Sequence, residues 1–417
     1  MSTQRYDLVV FGATGYTGQL VCRYLLSHPQ KPSWAIAGRS ASRLSSLKSK
    51  LGLPSTVGVI EAETSNYASL TSMTSQARAL VNIVGPYRPF KAFEVVRACV
   101  ETSTNYTDLS GETGFNKEVI DAFHLKAQAK GVTLASSAGF DSLPFDLTTF
   151  LAAQKAKQLT GGKSDIKLVE CAYSLEGGFS AGTLASGLSM ADEPEQMHHT
   201  RGDWLSPIAK PGALTFNTVR WFEHRQSWGA QNTFTVHNTR IINRSWGLLQ
   251  HHNSPQAYGQ AFLYREGALV PFKLVGIIVA YANAILMWLL MNLAIVRSIA
   301  AKSMPANSGP SEKSLVNTKV RLDTLATAND GTQAICTLKA KGHPGYLLTA
   351  RMIVETALTI LDDKSKKINP LEKAGVQGGA LTPALIGAER LAQRLVEFGH
   401  FEITTEKYEG KQVKKTK

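Results

Sequence analysis

Apolar residues over the first third of the chain come in short unbroken runs, separated by stretches in which they recur at helical spacing. Tyr6 to Phe11 (Y-D-L-V-V-F) reads as a strand buried on both faces, and Gln19 to Leu26 continues at helical spacing. Trp34 to Gly38, Thr56 to Ile60 and Ala79 to Val84 repeat the strand signature, with a polar helix from about Ser42 to Leu51. Phe93 to Val100 predicts a helix, Asn105 to Asp108 a strand, Asn116 to Lys130 a helix and Val132 to Ala135 a strand. Short apolar strands alternating with helices predict an α/β fold with a doubly wound parallel sheet covered on both faces. Such sheets bind ligands beyond the carboxyl ends of their strands. Those ends carry Gly85-Pro86-Tyr87, Asp108 to Glu112 and Ala138 to Ser142.

From about Ile166 the pattern changes. Strand-like stretches at Leu168 to Leu175, Thr233 to Ile242 and Thr332 to Ala340 are separated by longer polar segments, and Pro305 to Ser314 reads as a loop. This predicts a dinucleotide-binding unit over 1–150 and an α+β unit over 151–400 that ends in a helix at 380–399. A basic tail over 401–417 completes the chain.

The junction of the first strand and helix, Gly12-Ala-Thr-Gly-Tyr-Thr-Gly18, has the context a dinucleotide fingerprint requires. Gly12 suits the tight turn, Gly15 the close approach of backbone to a pyrophosphate, and Gly18 the packing of helix on strand. The helix N-terminus offers N–H groups and a partial positive charge to the phosphates. Where an NAD site places an acid on the ribose, this chain has Arg39 and Ser40, then Arg43. An arginine and a serine suit a 2′-phosphate, so NADP is expected over NAD. Gly85-Pro86-Tyr87 reads either as a turn beside the nicotinamide or as an ordinary strand-to-helix turn. Asp108 and Asp141 are strand-end acids that suit proton donation or helix capping equally.

Composition narrows the partners. The formal net charge is +13, from 45 Lys and Arg against 32 Asp and Glu, with a local cluster at Lys407 to Lys417. No helix-turn-helix, zinc-finger or RNA-binding signature accompanies that charge, so nucleic acid is not expected. Cys22, Cys99, Cys171 and Cys336 are far apart and form no C-x-x-C pair, which predicts neither a disulfide framework nor a metal site. The first strand begins close to Met1, leaving no room for a cleavable signal peptide, and a cytosolic fold is expected.

The ordered motifs G-A-T-G-Y-T-G, A-G-R, N-I-V-G-P-Y, N-Y-T-D-L-S-G-E and A-G-F-D-S-L-P-F-D-L resemble those of the saccharopine-dehydrogenase-like oxidoreductases. Within them the chain is similar to the trans-acting enoyl reductase and lipid-droplet-associated branch. The resemblance continues through Gly177-Gly178 with Gly182-Thr183, Gly342 to Tyr346, and Gly378 to Pro383. It implies a Rossmann domain, a substrate domain, NADP and a lipid-like or polyketide-derived substrate. The implied cofactor positions are Gly12, Thr14, Gly15, Tyr16, Thr17, Gly18, Arg39, Gly85, Pro86 and Tyr87. The chain departs from the family pattern at Phe90-Lys91, where glycine is frequent, at Phe145, where a small residue is frequent, and at His343, where aspartate is frequent.

Leu274 to Val296 carries no charge and lies between Lys273 and Arg297. As one helix it would measure about 34 Å, enough to cross a hydrocarbon core of about 30 Å. A crossing would strand the following strands and helix on the far side. A bend near Asn283, or insertion into one leaflet or a lipid monolayer, keeps both flanks cytosolic. A buried helix or a homodimer-forming face would also account for the segment. The sequence thus predicts an NADP-dependent reductase acting on a hydrophobic substrate at the cytosolic face of a membrane or lipid droplet, with Tyr87, Asp108 or Asp141 assisting. Two alternatives remain: a saccharopine-type amino-acid imine dehydrogenase using arginines such as Arg201, Arg220, Arg225, Arg240 and Arg244, and a non-catalytic lipid-surface protein that keeps a nucleotide pocket.

Overall fold

The computed structural model describes residues 5–175, 201–210, 218–232, 234–303, 309–363, 369 and 371–410. The chain opens with β1 (Tyr6–Phe11), α1 (Tyr16–Leu26), β2 (Trp34–Gly38), α2 (Ala41–Leu51), β3 (Gly58–Glu61), α3 (Tyr67–Ser75) and β4 (Ala77–Asn82). It continues with α4 (Ala92–Glu101), β5 (Asn105–Asp108), α5 (Thr113–Ala129), β6 (Thr133–Ala135) and α6 (Leu143–Leu159). Leu8 to Phe11 are all buried, as a strand covered on both faces requires. Leu8 and Val10 face one core with α1 and α2, while Val9 and Phe11 face the other with α3, α4 and α5. Gly52 ends α2 in the left-handed region (φ 61°), where its N–H caps the carbonyl of Ser49.

A second layer follows, with β7 (Ile166–Leu175), β8 (Val219–Phe222), β9 (Ser227–Ala230), α7 (Thr235–His251), β10 (Leu263–Val270), α8 (Lys273–Asn292), α9 (Ala294–Ser303) and α10 (Glu312–Asn317). The chain ends through β11 (Lys319–Ala328), β12 (Gln333–Lys341), α11 (Thr349–Leu361), β13 (Gly379–Leu381), α12 (Ala388–Glu397) and β14 (Phe401–Lys407). The first sheet has the order β13-β6-β5-β4-β1-β2-β3 and every pairing in it is parallel. The second has the order β14-β12-β11-β7-β10-β9-β8 and is antiparallel except where β10 meets β7. After building the second sheet the chain returns: α11 packs against β4 and β5, and β13 extends the first sheet beside β6. One continuous apolar core therefore joins a face of the first sheet to the second.

Four expectations need correction. Of the strand expected over Thr233 to Ile242, Thr233 lies outside the described residues and Thr235 onward is helix, since Thr235–His251 is helical with Ile241, Ile242, Trp246, Leu248 and Leu249 buried. Its β-branched start alternates like a strand, but burial at helical spacing prevails. The span 380–399 is not one helix: Gly379–Leu381 is strand, Pro383–Ile386 a 3₁₀ turn, and only Ala388–Glu397 is α-helical. Phe401–Lys407 is not tail but an edge strand on β12, because Phe401 and Ile403 alternate with charged or polar residues. Asn283 does not bend the apolar segment. It sits inside an unbroken α8, flanked by alanines, and the break falls at Leu293, whose backbone is extended (φ −116°, ψ 105°). The Gly177-Gly178 and Gly182-Thr183 motifs lie outside the described residues, as do 305–308 and 411–417.

Candidate functional site: the strand ends of the first sheet

Gly12 sits at φ 94° and its N–H donates to the Ala37 carbonyl at 3.0 Å, turning the chain sharply out of β1. A β-carbon on Gly18 would lie 2.3 Å from the Gly12 carbonyl oxygen and 2.7 Å from that of Ala13, so only glycine lets α1 sit so close to the turn. Gly15 caps α1 in an extended conformation with no side-chain cap, which leaves the first-turn N–H groups available to an anion. Thr14, Gly15, Tyr16 and Thr17 are all partly exposed. The Thr14 carbonyl is held by Gln19 at 3.1 Å. The Tyr16 ring packs edge-on against Tyr346 at 5.0 Å, and Tyr346 in turn lies 5.1 Å from His343. His343 is thus a buried member of an aromatic stack at the loop, and burial lowers its pKa.

At the end of β2, Arg39 is exposed, and Ser40 caps α2 by accepting from the Arg43 N–H at 3.4 Å. These residues, the uncapped α1 N-terminus and the Gly12 turn fit an NADP diphosphate and 2′-phosphate.

The Gly85-Pro86 peptide is cis, and the turn it forms is braced from below. The buried Glu112 carboxylate accepts the N–H of Tyr87 at 2.9 Å and that of Arg88 at 3.2 Å. The Tyr87 hydroxyl donates to the Asn82 carbonyl at 3.3 Å and accepts from the Leu109 N–H at 2.8 Å, while its ring stacks on Phe115 at 5.5 Å. Burial raises the Tyr87 pKa well above that of a free phenol, and its one proton is committed to a carbonyl. Tyr87 therefore braces the turn.

Asp108 lies beside Tyr87 and is fully buried. Its Oδ1 accepts the N–H groups of Ser110 and Ser137, each at 2.9 Å, and the Tyr106 and Ser136 hydroxyls also lie near enough to favour its charged form. Burial pushes its pKa up to about 6, against the lowering effect of those two N–H groups. Asp141 is separate from this pair. It is half-buried past β6, near enough to Tyr173 of the second sheet for its charge to act on that hydroxyl.

The second unit meets these strand ends through α7, which sequence reading missed. His237 is buried between Thr113 and Ser137, with Nδ1 2.8 Å from Thr113 Oγ1 and Nε2 3.1 Å from Ser137 Oγ. The next residue, Asn238, reaches the other way to the buried Glu266 on β10, which also accepts from Tyr264 at 2.7 Å. Asn232 donates to Tyr173 at 2.5 Å, completing a polar group on the inner face of the second sheet. The signal that could have found α7 is the helical spacing of Ile242, Trp246 and Leu249 beyond the misleading T-V-H-N-T.

Four of the five arginines considered for substrate carboxylates are spent on the protein itself. Arg201 pairs with Asp203 at 2.8 Å, and Arg225 pairs with Asp323. Arg240 lies over the Trp204 ring at 5.3 Å, and Arg244 donates to the carbonyls of Leu205 and Ala380. Arg220 is half-buried, with Glu170 and Arg265 acting on it.

Residues 8–135 match the saccharopine dehydrogenase NADP binding domain. A trans-acting enoyl reductase of Mycobacterium ulcerans is 29% identical over 430 residues, covering 95% of this chain and 97% of that one. A trans-acting enoyl reductase of Mycobacterium leprae is 27% identical over 419 residues, with 95% and 97% covered. Among solved structures, the apo saccharopine dehydrogenase (L-Glu forming) of Saccharomyces cerevisiae shares the fold. It has a TM-score of 0.51 at 12% identity and covers 97% of this chain and 100% of that one. The protein is an NAD(P)-dependent oxidoreductase with a Rossmann-type NADP-binding unit. Over residues 8–135 it resembles the saccharopine dehydrogenase NADP binding domain, and along most of its length it is similar to proteins named as trans-acting enoyl reductases.

Proposed function

We propose that this oxidoreductase reduces a hydrophobic, lipid-like or polyketide-derived substrate, enoyl, carbonyl or imine, taken from a membrane or lipid-droplet surface in lipid or glycolipid biosynthesis. The observation that carries the reading is α8. It is a helix of 20 residues whose most apolar 18-residue window has mean hydropathy 2.2 and is only 17% buried. Leu274, Ile278, Tyr281, Ile285 and Trp288 recur at spacings of four and three and are all exposed. Gly276, Ala280 and Leu290 face the protein instead. A soluble protein seldom leaves so large an apolar face to water. At the foot of α8, Lys273 lies 5.2 Å over Trp228, which meets Trp221 at 5.4 Å. Tryptophan and lysine together suit the headgroup level of a lipid surface. The cytosolic side is the working face in this reading, with α8 and α9 lying in one leaflet.

Bound NADPH supplies a hydride. The chain supplies orientation: the α1 N-terminus and Arg39 hold the phosphates, and the Glu112-braced turn shapes the nicotinamide end. Burial raises the Asp108 pKa to about 6, so a larger share of it is protonated near neutral pH than of an ordinary carboxylate. The engaged arginines favour a neutral acyl substrate over an amino-acid imine with two or three carboxylates. The enoyl reductase name of the relatives points the same way.

The test is NADPH oxidation by the full chain, with long-chain enoyl and carbonyl lipids presented in vesicles against glutamate mixed with aldehydes. Turnover of the vesicle substrates is expected. Turnover confined to the amino-acid mixtures overturns the reading in favour of an imine dehydrogenase.

A further inference from the structure

The buried His237 imidazole joins the two units of the fold at the ends of β5 and β6. Ser137 Oγ gives its single proton to the Ser110 carbonyl at 2.6 Å, so it can only accept from its other neighbours. Those neighbours are Asn116 Nδ2 at 2.9 Å and His237 Nε2 at 3.1 Å. The proton of the neutral ring must therefore sit on Nε2, which leaves Nδ1 to accept from Thr113 Oγ1 at 2.8 Å. One tautomer satisfies every partner. Burial pushes the His237 pKa down to about 3, which keeps the ring neutral over the physiological range.

The partners of His237 lead directly to the cis-proline turn. Thr113 begins α5 immediately after Glu112, whose carboxylate holds the Tyr87 and Arg88 N–H groups. Ser137, held at φ 62°, and Ser110 both place their N–H groups on Asp108 Oδ1. From α7, two hydrogen bonds thus fix both loops that support the turn and the acid beside it.

We infer that His237 is a positioning residue that locks α7 of the second unit onto the loops at 108–113 and 136–138, so that the Gly85-Pro86-Tyr87 turn is held in register for NADP. The inference rests on the placement of the nicotinamide end at that turn. Docking of the second unit then sets the fit of the cofactor, although no atom of His237 touches it.

The test compares the full chain with H237A, H237Q and T113V. NADPH affinity is read by fluorescence titration, and amide exchange is read in the apo protein. In H237A, NADPH should bind about tenfold more weakly, the magnitude expected when one buried hydrogen bond is lost. Exchange should accelerate at the Tyr87 and Arg88 amides while the α1 amides keep their protection. H237Q, whose amide nitrogen can replace Nε2 as donor to Ser137, should recover most of both. T113V, which removes only the hydroxyl on Nδ1, should show a smaller loss and carries the test where H237A does not fold. Unchanged affinity and unchanged exchange at Tyr87 and Arg88 in folded variants overturn the inference. Failure of the unmutated chain to bind NADPH sinks the cofactor reading instead, and the exchange measurement still decides the role of His237.

Discussion

Replacing Ile278 and Ile285 by glutamate separates lipid docking from every other reason for an exposed apolar helix. The two side chains are seven residues apart, so they share one face of α8. They expose 59% and 57% of their surface, and neither contributes to the apolar cores. Full burial of an isoleucine side chain is worth about 1.5–3 kcal/mol, so the pair has about 2–3 kcal/mol left to gain at a lipid surface. Losing that gain and placing two carboxylates against acyl chains should cost about 4 kcal/mol in total. That is roughly a thousandfold in partition. Folding should change by about 0.5 kcal/mol or less, because both sites face solvent. The assay is flotation with vesicles of mixed neutral and anionic lipid, with thermal melting as the fold control. The unmutated chain should float and the double variant should stay in the soluble fraction with its melting temperature kept. Flotation of the variant at the unmutated level refutes the reasoning. So does a chain that never floats but loses a dimer on mutation, which would make the face an interface between two copies.

Two further outcomes follow from the strand ends. Arg39→Asp should raise the KM for NADPH about 10- to 100-fold, the worth of a hydrogen bond to a charged group, while NADH use is kept or improved. Arg39 is exposed, so a steady-state comparison of the two cofactors reads the phosphate contact without a folding defect, and an unchanged NADPH KM refutes that contact. Burial raises the folded pKa of Asp108 to about 6, above the value of about 3.9 for a free aspartate, so the native state holds the extra proton between those values. Its contribution to stability is present below about pH 4 and is lost as pH rises through 6, by roughly 2–3 kcal/mol. Urea unfolding at pH 4 and pH 6.5 should therefore show the gap between the unmutated chain and Asp108→Asn shifting in favour of the variant at the higher pH. A gap that does not move refutes the assignment.

Legibility in the sequence followed how local each physical cause is. The glycine turn, α1 and the end of β2 are decided within a few residues by backbone sterics, doubly buried strands and capping, so Gly12, Gly18 and Arg39 could be placed from the chain alone. The pairing of Tyr87 with Asp108 was only partly readable. Both were visible as strand-end residues, but the Glu112 carboxylate under the turn comes from the start of another helix, 25 residues on. The second unit was misread where a period-two stretch competed with helical burial, at Thr235 to Ile242, and where charge disguised an edge strand at Phe401 to Lys407. His237 was beyond reach for a further reason. Its partners, Thr113 and Ser137, lie 124 and 100 residues away, and nothing local marks a histidine that serves as the joint between two units.

That joint bears on how the enzyme handles its substrate. The chain builds the first sheet, leaves it to form the second, and returns with α11 and β13, so the two sheets cannot part without breaking a shared core. Asp108 and Asp141 lie at neighbouring strand ends yet face different partners, the cis-proline turn in one case and Tyr173 of the second sheet in the other. From α7, His237 reaches the loop that holds Asp108 through Ser137, and Asn238 reaches Glu266, whose charge acts on Tyr173. A substrate between the sheets would thus meet groups that are already fixed by α7. Wide hinge closure would break the buried hydrogen bonds at His237, whereas motion confined to the loops would leave them intact. The shared core and the buried hydrogen bonds at His237 therefore favour motion confined to the loops over a pair of domains that clamp.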